Sequence, residues 1–132
     1  MRLTLDHPDI KRALHDLRRL LQAHSGNIDA VELFGSTLRT PMAKARDIDF
    51  FVAFRRISFE ELRTKLMDSD IGRHVVVESL EASYSNCPLW ELHTPLTLHL
   101  ILYRQGISSF SAKLTETRSA ALDVTKRVLG RE

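Results

Sequence analysis

Asp47 and Asp49 stand one residue apart at the start of the apolar run Asp47-Ile48-Asp49-Phe50-Phe51-Val52. In an extended strand residues i and i+2 project to the same face, so the two carboxylates point together and Ile48 points the other way. Aligned carboxylates repel each other unless a cation or a proton lies between them. Upstream is a second informative stretch, Leu33-Phe34-Gly35-Ser36-Thr37-Leu38-Arg39. Gly35 has no Cβ, which lets its backbone approach a phosphate closely. Ser36 offers a hydroxyl and a backbone N–H at the mouth of a turn, a common anion cradle. Arg39 carries a planar fork suited to phosphate oxygens. The chemistry that uses a carboxylate pair beside such a turn is Mg²⁺ binding at the phosphates of a nucleotide.

The elements that must position these residues are legible on either side of them. Pro8 to about His24 reads as a helix: Pro8 suits a first turn after Asp6 or His7, and Ile10, Leu14, Leu17, Leu20 and Leu21 make one apolar stripe. Ser25-Gly26-Asn27 ends it with turn chemistry. Ile28 to Phe34 reads as the first strand and Asp47 to Phe54 as the second, apolar on both faces and therefore central in a sheet. The short spacing between them predicts antiparallel or irregular pairing, because a parallel crossover needs a longer connection. Ser58 is the expected N-cap of a second helix, with Glu60 and Glu61 in its first turn, Leu62, Leu66 and Met67 inward, and Asp68-Ser69-Asp70 and Gly72 closing it. His74 to Leu80 is a valine-rich strand, Ser83 to Pro88 a loop, Leu89 to Leu92 a short strand, and Leu96 to Tyr103 a strong further strand. The tail is expected to hold a helix over Thr117 to Leu129, with Ala120, Ala121, Val124 and Val128 along its apolar face. This order predicts an α/β (α+β) fold, a mixed β-sheet flanked by helices.

The chain has 132 residues, enough for a single domain over 1–132 and too few for two. Its 43% apolar and 27% charged residues are those of an ordinary globular protein. A net charge of +2 gives no global electrostatic case for nucleic acid and leaves that partner open. The single cysteine, Cys87, excludes an internal disulfide and fits a reducing compartment. No secretory signal or membrane-length apolar run is present, so a cytoplasmic setting is expected.

The pattern Phe34-Gly35-Ser36, then Thr37 to Arg46, then Asp47-Ile48-Asp49-Phe50 resembles the nucleotidyltransferase superfamily, the DNA polymerase beta-like fold, and within it the small minimal nucleotidyltransferases. The likeness is sharpest over Val31 to Phe54, and the element order extends it loosely over most of the chain. The resemblance implies transfer of a nucleoside monophosphate from a nucleoside triphosphate to an acceptor, with Mg²⁺ on Asp47 and Asp49 and the triphosphate on Gly35, Ser36 and Arg39. It also implies a helical protein partner or homo-oligomer, since small members work with such subunits, some as antitoxins that adenylylate their toxin.

Active members carry a third carboxylate on a later strand. Glu78 is the best placed here, because it shares a strand face with Val76 and His74; it is the expected third catalytic residue, completing the metal site or acting as base. Glu91 lies in a connection. His99 occupies a position where an acid is expected, and an imidazole there is a general base, a metal ligand or a structural group. Thr40-Pro41 replaces the glycine that commonly follows the arginine. His93 and His99 are separated by Pro95 and do not suggest zinc. Trp90 and Tyr103 are core aromatics by default, and Cys87 has no basic neighbour to activate it. Two functions follow: a Mg²⁺-dependent nucleotidyltransferase, favoured by the intact aspartate pair, or a catalytically inactive nucleotidyltransferase-like module that binds nucleotide or a partner, favoured by the missing clear third carboxylate.

Overall fold

The helix starting at Pro8 forms because its apolar residues recur on one stripe and its first turn is capped. In the computed structural model, which describes residues 4–35, 38, 47–80, 97–104 and 119–130, α1 runs over Pro8–Gln22 with Pro8 in its first turn. Nδ1 of His7 accepts a hydrogen bond from the Asp9 N–H at 3.0 Å, satisfying one of the orphan donors of that turn. Ile10, Ala13, Leu14, Leu17, Leu20 and Leu21 are all buried, and each of the larger side chains contributes roughly 1.5–3 kcal/mol by leaving water. The second helix, α2 over Phe59–Asp68, starts as expected on Ser58, whose Oγ accepts from the Glu61 N–H at 3.1 Å.

The described residues build a five-stranded mixed sheet. Its strands are β1 (Ile28–Phe34), β2 (Asp47–Phe54), β3 (Val75–Ser79), β4 (Thr97–Arg104) and β5 (Leu122–Asp123), in the spatial order β3-β4-β2-β1-β5. β1 runs antiparallel to β2 and to β5, while β4 runs parallel to both β2 and β3. The second strand is central, as its apolar run required.

Alternation divides the sheet into two faces. Val31 and Leu33, Ile48, Phe50, Val52 and Phe54, Leu98, Leu100 and Leu102, and Val75 and Val77 share one cluster with the buried residues of the helices. The other face carries Phe34, Phe51, Ala53, Ile101 and Tyr103 as a smaller apolar cluster. It also carries the polar residues at the start of β2 and β4.

The tail departs from expectation. From Ala120 onward, in place of one continuous helix to Leu129, the chain makes the short strand β5 and keeps helix only over the five residues of α3 (Thr125–Leu129), ending on Gly130 at φ 75°. Pairing with β1 wins over helix propensity here. The Val124 N–H donates to the Val31 carbonyl at 2.9 Å. The Val31 N–H donates to Thr125 Oγ1 at 2.9 Å, and that hydroxyl in turn donates to the Val31 carbonyl at 3.3 Å. Asp123 turns the chain into α3 by accepting from the Thr125 N–H at 2.9 Å. The strand proposed over Leu89 to Leu92 lies outside the described residues. Among those described, no helix is long and apolar enough to cross a membrane.

Candidate metal centre

Asp47 and Asp49 open β2 on the face away from the helices. The parallel register sets Asp47 beside Thr97 and Asp49 beside His99 of β4. Neighbours in register share a face, so the imidazole stands next to the carboxylate pair. One ligand atom from each of Asp47, Asp49 and His99 lies within 4.8 Å of the other two. The common projection expected of the two aspartates is what the backbone delivers. His99 is buried and the two aspartates are half-buried.

Glu78 reaches this group from the far side. Val76 of β3 is the register partner of His99, and Glu78 follows two residues later on the same face. Its Oε2 lies 3.0 Å from His99 Nε2, while His99 Nδ1 lies 3.0 Å from Asp49 Oδ1. The side chains of His99, Asp49 and Glu78 are only 7%, 14% and 14% exposed, so this carboxylate–imidazole–carboxylate array is held out of bulk water. Glu78 is therefore not on the strand next to Asp49. β4 intervenes, and the side chain in contact with Asp49 is His99.

Burial alone pulls the His99 pKa down. The hydrogen bond and charge of Asp49, followed by the charge and hydrogen bond of Glu78, outweigh it and hold the imidazole above its ordinary value. As an imidazolium the ring donates from both nitrogens; as a neutral ring it donates from one and offers a lone pair on the other. A neutral ring that donates Nε2–H to Glu78 presents its Nδ1 lone pair toward the aspartates.

Gly35 has a duty toward Asp49 that its sequence context did not suggest. It follows the last residue of β1, Phe34, which pairs with Asp49. A Cβ built on Gly35 would overlap Oδ2 of Asp49 and come within 3.1 Å of its Cγ, and the backbone has φ +92°. The missing side chain thus makes room for the aspartate. The turn itself is present, with the Leu38 N–H donating to the Gly35 carbonyl at 3.0 Å. Ser36 and Arg39 lie outside the described residues, as do Cys87, Trp90, Glu91 and His93.

An aromatic layer adjoins the acidic group. Phe34 and Phe51 stack with ring centroids 3.9 Å apart, and Tyr103 meets Phe51 edge-on at 6.4 Å. Tyr103 is 4% exposed, a packing residue rather than a platform for a base. Sequence reasoning named His99 but did not find its double contact, nor the Gly35–Asp49 approach. Both depend on which strand lies beside which.

Compared with known protein families and with curated proteins, the chain matches no family model and no curated sequence.

Proposed function

We propose that this chain is a nucleotidyltransferase-type domain that uses a divalent cation to pass a nucleoside monophosphate from a nucleoside triphosphate to an acceptor hydroxyl, breaking the bond between the α- and β-phosphates and releasing pyrophosphate. One observation carries the reading: two carboxylates on one strand face converge with a buried imidazole, beside the end of β1 at Gly35. Asp47 and Asp49 are the residues that would hold the cation. By the resemblance, Gly35, Ser36 and Arg39 are the residues that would meet the triphosphate. When bound there, a cation would supply charge neutralisation at the transferred phosphoryl group and would favour ionisation of the attacking hydroxyl. The protein's own part is to fix the carboxylates, to exclude water around them, and to hold a proton on His99 between Asp49 and Glu78. In this reading Glu78 acts through His99 and is a positioning residue. The reducing setting suggested by the lone cysteine is the cytoplasm.

A second reading is favoured by one specific feature. The group facing the aspartates contains an imidazole where active relatives by resemblance carry a carboxylate, and Glu78 is engaged with that imidazole. A module that binds nucleotide without transferring it fits this feature.

Transfer of α-labelled nucleoside triphosphates to the protein itself, and to protein and RNA fractions of a lysate, separates the readings. The enzyme labels an acceptor in wild type and fails to do so as Asp47→Asn or Asp49→Asn. Cation-dependent nucleotide binding without labelling supports the module. Nucleotide binding that ignores both the cation and the two substitutions overturns the metal-nucleotide site, and no nucleotide binding by the folded protein overturns both readings.

A further inference from the structure

The metal implied by the resemblance is Mg²⁺, a hard ion that takes oxygen donors and keeps much of its water. The donors present at the site only half fit it. Asp47 and Asp49 are the right type, but the third group within reach is an imidazole. Nitrogen donors favour borderline transition ions, whose affinity for such sites rises from Mn²⁺ through Co²⁺ and beyond.

We propose that the site holds a borderline transition ion of the Mn²⁺ and Co²⁺ class in preference to Mg²⁺, with Asp47, Asp49 and Nδ1 of His99 as ligands and Glu78 as the residue that orients the imidazole.

Three observations converge on this assignment. First, the distance from His99 Nδ1 to Asp49 Oδ1 is 3.0 Å; two donors each about 2.1 Å from a six-coordinate ion, at right angles, also stand about 3.0 Å apart. The pair can therefore take one ion with little movement, and Asp47 supplies the third donor within 4.8 Å. Second, His99 Nε2 lies 3.0 Å from Glu78 Oε2. A carboxylate on the remote nitrogen is the usual outer partner of a metal-bound histidine: it fixes the tautomer, aims the near nitrogen and raises its basicity. The Glu78–His99–Asp49 line has that order, with the near nitrogen aimed at the aspartates. Third, Gly35 leaves room for Asp49 Oδ2, so the backbone accommodates this carboxylate in its present orientation.

The inference relies on the proposed function only for the location of the site, not for the reaction. Its test therefore uses the nucleotide-free full-length protein, stripped with chelator and checked for folding by circular dichroism. Mn²⁺ binding is read by loss of the free-ion paramagnetic signal, Co²⁺ binding by its visible ligand-field bands, and Mg²⁺ by competition. Wild type is expected to bind Mn²⁺ and Co²⁺ more tightly than Mg²⁺. His99→Gln is expected to lose Co²⁺ affinity by more than about tenfold and to shift the bands, while Mg²⁺ affinity changes little. Glu78→Gln retains the three ligands and is expected to weaken Co²⁺ roughly 10- to 100-fold. Equal losses of Mg²⁺ and Co²⁺ in His99→Gln, unshifted bands, or no ion bound by folded wild type would overturn the assignment. If the ions bind as expected and no labelled nucleotide is transferred, the metal assignment stands and the transferase reading falls. Labelling supported by Mg²⁺ and unaffected by His99→Gln gives the reverse.

Discussion

Gly35→Ala is a direct test of why the chain places a glycine at the end of β1. Two costs are expected, and they are separable. The backbone stands at φ +92°, where a residue with a Cβ costs about 1–3 kcal/mol. The added methyl also overlaps Oδ2 of Asp49, so the carboxylate must rotate away from His99, 3.0 Å from its other oxygen. Losing that charge-assisted hydrogen bond costs a further ~1.5–3 kcal/mol. The sum, ~3–6 kcal/mol, is a large part of the ~5–15 kcal/mol that holds a domain of this size together. In an Asp49→Ala background the clashing oxygen and its Cγ are gone, and only the Asp49 Cβ at 3.2 Å remains to be accommodated. There Gly35→Ala should cost little more than the backbone share. Urea unfolding followed by circular dichroism, with chelator present so that no ion contributes, gives all four stabilities. The expected coupling energy is ~1.5–3 kcal/mol, well above the ~0.5 kcal/mol scatter of independent sites. Additive costs within that scatter would refute the reasoning that Gly35 is there to make room for Asp49.

Thr125→Val keeps the side-chain shape but removes the hydroxyl that serves both the N–H and the carbonyl of Val31. It should destabilise by ~1–3 kcal/mol at unchanged denaturant slope, and a loss below about 0.5 kcal/mol would mean β5 is held by its backbone bonds alone. The pH dependence of His99 has a definite sign. Its pKa is raised in the fold, so the stability its charge contributes is fully present below the unfolded value near ~6.5 and is lost as pH rises through the folded value. In chelator, the stability difference between wild type and His99→Gln should shrink as pH rises across that window. A difference that stays constant or grows would show that the ring is not held charged between Asp49 and Glu78. His24, whose pKa is lowered by burial and then by Lys65, works in the opposite sense, which is why the difference is the quantity to measure.

Much of the fold was readable because its signals are local. The stripe of α1, the Ser58 cap of α2 and the uninterrupted apolar run of β2 each depend on residues within a few positions of one another. The antiparallel pairing of β1 with β2 followed from their spacing. The tail was misread for the same reason: Ala120, Ala121, Val124 and Val128 have helical spacing, but the hydrogen bonds that decide the matter come from Val31, at the other end of the chain.

The sequence by itself determined that Asp47 and Asp49 project together, since a period of two is a property of any extended backbone. It could not determine what faces them. Glu78 and His99 were both eligible, each at a plausible strand position. The choice was made by strand order: β4 inserts between β3 and β2, its register sets His99 beside Asp49, and Glu78 is left to reach the imidazole from beyond. Strand order is fixed by how two faces of a sheet are buried together, a balance summed over the whole domain. No window of neighbouring residues contains it, and so the third donor of the site, His99, belongs to the tertiary structure.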